Sequence, residues 1–396
     1  MYKIKAKERI KRGLAAALIL PILAGCSAEE APDEPAETTT TTTTTEAEPA
    51  APTLEIADNA VDFAKSMKLG WNLGNTLDAT GSSFLSAETS WGQPRVTKEL
   101  IDYVAECGFT SIRIPVSWGK HTDTDLVIDW EWLDRVNEIV DYAYDAGLYI
   151  ILNSHHDCDY YYPTEDNYES AERYMTEIWG QIAKRFADYD ERLVFESMNE
   201  PRLMNTNKEW WFADNDKEGV ASIECIVKLN QVFVDTVRAA GGKNETRYLM
   251  VPSNAASAGN ALNAAFEMPN DPANRLLVSI HAYTPYDFAM NEHGYKEWNE
   301  SKEAEITDFM SKLDEKFIKN GYGVVIGEFG ATNKDNLEAR VAWADSYTRL
   351  AAGYGIACFL WDNGGTSVGS ENFGMINRNM LQLSYPEILE AMLKNY

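Results

Sequence analysis

The chain has 396 residues, 45% of them hydrophobic, and carries a formal net charge of −27 at pH 7. Such an acidic surface repels the phosphates of nucleic acid and excludes that class of partner, whereas an uncharged ligand meets no repulsion. The hydrophobic share suffices for a large core, and a single α/β barrel accommodates a domain of this size.

The first twelve residues hold Lys3, Lys5, Lys7, Arg9, Lys11 and Arg12 against one acid, Glu8, and an apolar run from Leu14 to Ala24 follows. A basic start, a short apolar stretch and small residues at the cut describe an export signal, too short for a comfortable membrane span. Leu23-Ala24-Gly25-Cys26 resembles the bacterial lipoprotein box. That resemblance implies removal of residues 1–25 and lipidation of Cys26, which would anchor the mature protein at the outer surface of a bacterial cell. Residues 26–53 are rich in Thr, Pro, Ala and Glu, with unbroken threonine from Thr38 to Thr45. With almost nothing apolar to bury, this stretch is expected to be a disordered spacer.

From residue 54 to 396 apolar strand-like runs alternate with longer amphipathic stretches. Strands are expected over 68–73, 111–116, 148–154, 193–198, 248–253, 277–282, 323–328 and 357–362, and helical periodicity over 132–146, 170–186, 224–239 and 337–350. Gly108, Gly147 and Gly321 stand where a glycine closes a helix before the next strand. Eight strands with helices between them make a (β/α)8 barrel in one catalytic domain, whose reactive groups belong at the C-terminal strand ends. Arg113 and Trp118 lie at or just after the second strand, His155 and His156 end the third, and Asn199 and Glu200 the fourth. His281 and Tyr283 end the sixth, Glu328 the seventh and Trp361 the eighth. Cys107, Cys158, Cys225 and Cys358 are irregularly spaced, which reads as free thiols rather than a disulfide framework.

Two of these runs, Val194 to Pro201 and Val324 to Gly330, each carry a glutamate at the strand end, Glu200 and Glu328. Cutting a glycosidic bond takes two carboxyl groups of opposite protonation state, one on each side of the bond. The pair therefore points to a sugar-cleaving enzyme. Glu328 would need donors and positive charge to stay ionised, which Arg113 and Tyr283 can supply. Glu200 would start protonated, its pKa raised by the neighbouring carboxylate. Carboxyls about 5–5.5 Å apart are then expected, with retention of configuration, and Asn199 is placed to bond the sugar 2-hydroxyl.

The chain resembles glycoside hydrolase family 5, the cellulase family, from residue 54 to its end. The runs Gly70-Trp71-Asn72-Leu73-Gly74-Asn75-Thr76-Leu77-Asp78 and Glu88-Thr89-Ser90-Trp91-Gly92 resemble a bacterial endoglucanase and xyloglucanase branch. The resemblance implies Glu200 as acid/base and Glu328 as nucleophile, with Arg113, His155, Asn199, His281, Tyr283 and Trp361 around them. Asn72, His156 and Trp91 join the supporting and substrate-binding candidates.

It also implies a retaining endo-β-1,4-glucanase acting on cellulose-type, mixed-linkage or xyloglucan chains; a monomer without cofactor is expected. Rival readings are the same chemistry on xyloglucan, mannan or xylan, and a cell-surface lipoprotein that binds glucan without cutting it. A metal at His155-His156-Asp157 is not expected, because adjacent side chains at a strand end point apart. Trp361 and Trp91 are the expected sugar platforms, Trp210 and Trp211 could form outer subsites, a lid or core, and Asp78 and Asp157 read as loop hydrogen-bonding acids.

Overall fold

A computed structural model describes residues 56–396. The expected export signal, Cys26 and the expected spacer lie outside the described residues. Eight parallel strands close into a barrel in sequence order. They are β1 (Leu69–Asn72), β2 (Ser111–Ile114), β3 (Tyr149–Asn153), β4 (Leu193–Glu196), β5 (Leu249–Ser257), β6 (Leu276–His281), β7 (Gly323–Phe329) and β8 (Ala357–Leu360). Closure comes from β1 on β8, with Trp71 opposite Leu360.

The strands are buried on both faces and still alternate. Ile150 and Leu152 of β3 pack outward with the helices, while Tyr149 and Ile151 belong to a separate apolar cluster that fills the barrel with Val194, Met250, Leu277, Val325 and Phe359. This is the period of two that a pleated strand imposes. The short helix Ala60–Met67, which no periodicity announced, seals the N-terminal end of that cluster. Phe63 stacks on Tyr248 with ring centroids 3.7 Å apart. A Cβ on Gly323 would sit 2.3 Å from the Ala60 carbonyl, so the close approach of this helix to β7 requires glycine.

The outer helices start where side chains cap them. Thr97 accepts from Leu100 N, Asp129 from Glu131 N and Trp132 N, and Asp216 from Glu218 N and Gly219 N. Gly108 and Gly147 follow their helices at φ +100° and +77°, as expected of closing glycines. The helix expected over 224–239 is Lys217–Ala239. Its first turn carries Gly219 packed against the Phe212 ring, a contact without an apolar side chain to betray it. Strand β5 runs past its expected end through a register shift after Pro252, with Ala255 and Ala256 at positive φ.

After β8 a small hairpin of β9 (Ile376–Asn377) and β10 (Gln382–Leu383) sends Arg378 back into the fold. Its guanidinium donates to the carbonyls of Gly74 at 2.8 Å and Asp362 at 2.5 Å. All four cysteines of the domain are free.

Candidate active site

Arg113 projects from β2 and is fully buried. Every N–H of its guanidinium is spent. Nε donates to Glu196 Oε2 at 2.7 Å, and Nη1 to Asn72 Oδ1 at 3.0 Å and Glu328 Oε1 at 2.8 Å. Nη2 donates to Asn199 Oδ1 at 2.7 Å and lies 3.4 Å from His281 Nε2. Side chains from β1, β2, β4, β6 and β7 are thereby fixed around one cation. Glu328 also accepts from the Tyr283 hydroxyl at 2.9 Å.

Glu200 lies just beyond β4, its Oε1 2.9 Å from His281 Nδ1 and its Oε2 3.6 Å from Arg202 Nη1. Carboxylate oxygens of Glu200 and Glu328 and a ring nitrogen of His281 all lie within 4.8 Å of one another. That approach is closer to the short carboxyl separation of a retaining site than to the wider one that an inverting site keeps for its water.

The electrostatics correct one expectation. Burial raises the Glu328 carboxyl above its ordinary range, against the opposing charges of His281 and Arg113. Burial would raise Glu200 too, but the hydrogen bond and charge of His281, with Arg202, hold it below. The sequence expected Glu200 to be raised; the histidine and arginine beside it reverse the sign. His281 is pushed upward in turn, since the Glu328 charge and the Glu200 hydrogen bond overcome its burial. The opposite shifts of His281 and Glu200 share one cause, the 2.9 Å hydrogen bond between them.

Toward the other end of the cleft, His155 stacks on Trp361 with planes 1° apart and centroids 5.7 Å apart. Its Nδ1 lies 3.0 Å from the Asn153 amide nitrogen, which must donate, leaving the ring proton on Nε2. His156 turns toward Trp91 (centroids 5.3 Å) with its Nε2 3.8 Å from Asp78 Oδ2. Burial holds His155 well below the usual imidazole range, so its ring is a neutral hydrogen-bonding group, whereas the His156 side chain is 41% exposed.

The two histidines do not diverge as expected of strand neighbours. The chain has left β3 by then, and their rings meet edge to face at 4.5 Å. Donor atoms of Asp78, His155 and His156 fall within 4.8 Å of one another. Both Asp78 oxygens already accept backbone N–H groups, from Asn75 at 3.0 Å and Thr76 at 2.7 Å, so the carboxylate is accounted for without an ion.

Asp157 accepts from Trp118 N, Gly119 N and Ser154 Oγ, the loop role read for it. Trp71 and Trp118 are core residues with satisfied indoles. Trp91, Trp210 and Trp211 stand 37%, 56% and 77% exposed, with the Arg202 guanidinium over the Trp210 ring at 4.2 Å. Glu88, the first residue of the Trp91 motif, is structural. It accepts from Val96 N and pairs with buried Arg135 at 2.7 Å, tying the loop to the helix Trp130–Asp145.

Three contributors escaped sequence reasoning: Glu196 on Arg113, Arg202 beside Glu200, and Asp362, which gathers Trp71 Nε1, Met375 N and Ile376 N. Glu196 was legible, since it follows inward-facing Val194 by two residues on β4. For Arg202 the only signal was its place two residues past the glutamate.

Known proteins resemble this chain over most of the described residues. The family model described as Cellulase (glycosyl hydrolase family 5) matches residues 77–367. "Cellulase/esterase CelE" of Acetivibrio thermocellus is 42% identical over 85% of this chain, which spans only 40% of that longer protein. Endoglucanase A of Ruminococcus albus is 41% identical over 86% of this chain and 94% of its own length. A family 5 lichenase from Caldicellulosiruptor sp. F32, solved with cellotetraose, superposes with a TM-score of 0.83 at 45% identity, covering 88% of this chain and 98% of that one. A barrel with two strand-end glutamates and this degree of likeness leave one assignment: the chain belongs to glycosyl hydrolase family 5, the cellulase family.

Proposed function

We propose that the protein is a retaining endo-β-1,4-glucanase that hydrolyses internal bonds of β-glucans, with Glu328 as nucleophile and Glu200 as acid/base. The observation that carries this reading is the approach of the two carboxylates to within 4.8 Å, one gripped by Arg113 and Tyr283, the other by His281. Glu328 attacks the anomeric carbon as the bond to the leaving sugar breaks, and the leaving oxygen takes a proton from Glu200. Forming the glycosyl ester removes the charge of Glu328. Glu200, now ionised, draws a proton from water, whose oxygen attacks the same carbon and releases Glu328. Asn199 has its Oδ1 committed to Arg113, so its Nδ2 is the group that donates to a sugar 2-hydroxyl. Trp361 and Trp91 supply flat apolar faces to neighbouring sugar rings.

The substrate class draws support from the cellotetraose-bound lichenase and from the endoglucanase relative. Glucans of cellulose-type, mixed-linkage and xyloglucan form all fit the proposal. Proton NMR of a β-glucan digest tests it: the newly formed reducing ends should appear first as the β anomer. Early α product, or no cleavage of any β-1,4-glucan, would overturn it. In the same proposal the mature protein is exported and held by lipid on Cys26 at the cell surface, a reading supported by the basic, apolar and Leu-Ala-Gly-Cys pattern of residues 1–26. Cys26→Ser should release the enzyme from membranes and abolish incorporation of labelled fatty acid.

A further inference from the structure

Arg113 serves two carboxylates. Besides the 2.8 Å bond to Glu328, its Nε is held at 2.7 Å by Glu196, whose other oxygen accepts from Ser279 Oγ at 2.5 Å. Glu196 is fully buried and sits on β4 itself, below the strand end, so no substrate atom reaches it. We propose that Glu196 is a positioning residue of the reaction: by holding Arg113 through Nε it aims the guanidinium at Glu328 and Asn199 and takes a share of its charge away from the nucleophile. The inference rests on the assignment of Glu328 as nucleophile.

The charged and titratable groups around this unit are few. Glu328 faces Arg113 from β2, His281 from β6, Tyr283 after β6 and Glu200 after β4. Glu196 faces Arg113 and Ser279, and its register partners on β3 and β5, Asn153 and Met250, bring no charge. A single permanent cation is thus divided between two buried carboxylates. With Glu196 held at 2.7 Å from Nε, Arg113 stabilises the Glu328 anion less than an undivided guanidinium would.

Glu196→Gln separates geometry from charge. The amide can accept from Arg113 Nε and donate to Ser279 Oγ, so the anchor persists while the competing charge is gone. The acid limb of kcat/KM should then move to lower pH by about one unit, with the alkaline limb and the melting temperature little changed. Glu196→Ala, which removes the anchor, should lower kcat by about tenfold or more at nearly constant KM. An acid limb in Glu196→Gln that coincides with the parent's, or moves upward, overturns the role given to Glu196. Glu328→Gln in the same assay isolates the underlying assignment. Turnover in that variant overturns the nucleophile and this proposal together, whereas an inactive Glu328→Gln with an unmoved limb in Glu196→Gln overturns this proposal alone.

Discussion

Arg113 concentrates the chemistry of the site because a guanidinium offers five donors in one plane, and here each is directed at a different side chain. The acid/base is tested by deletion and rescue. Glu200→Ala should lose about 10²–10⁴-fold on unactivated glucan, retain activity on aryl glycosides with good leaving groups, and regain turnover with azide by forming a β-glycosyl azide. Rescue confined to unactivated substrate would remove the assignment.

A second prediction concerns His121, which is buried against Trp132 at 3.7 Å with neither ring nitrogen hydrogen-bonded. Burial lowers its pKa from 6.5 to about 4. Between those values the unfolded chain binds a proton that the folded chain does not, so stability rises with pH across this window and falls on acidification. The full loss is about 3 kcal/mol below pH 4. His121→Phe should keep the stack and flatten the fall in Tm between pH 6.5 and 4, as read by calorimetry. A Tm profile parallel to the parent's would refute it.

At this scale the two glutamates and their shell were legible, because strand-end placement and residue type announce such chemistry. Their proton balance was not, since the partners that set it, His281 and Arg202, act through distances that no spacing encodes.

Elements place those residues, and loops are held by buried polar clamps. The Trp91 loop hangs on Glu88, whose oxygens take Val96 N and two guanidinium nitrogens of Arg135. Arg135→Met should cost about 3–5 kcal/mol in urea unfolding, because it strands a buried carboxylate, while Arg135→Met with Glu88→Gln should recover part of that loss. A cost below about 1 kcal/mol for the single change would show the pair to be solvated. Most strands and long helices were readable from periodicity. The elements that escaped are short or are built by side-chain clamps: the helix Ala60–Met67, the β9–β10 hairpin with Arg378, and the first turn of Lys217–Ala239. Each is dictated by a tertiary contact rather than by its own pattern.

For the whole molecule, the barrel needs its lower end closed as much as its upper end furnished. Removal of residues 1–53 should leave Tm and glucan hydrolysis unchanged, whereas removal through Met67 uncovers the cluster around Tyr248 and should abolish soluble expression. Unfolding on the shorter deletion would refute the spacer reading of residues 26–53.

The sealing helix has a further consequence for traffic at a solid surface. Ile56 and Ala57 pack on the cluster at the closed end, and Ala57 O accepts from the Tyr248 hydroxyl. The chain thus joins the domain on the face opposite Glu200 and Glu328. In the proposed anchored form, polymers would meet the strand ends that carry Glu200 and Glu328 away from this attachment, and a pull arriving through Ile56 and Ala57 would be borne by packed apolar side chains.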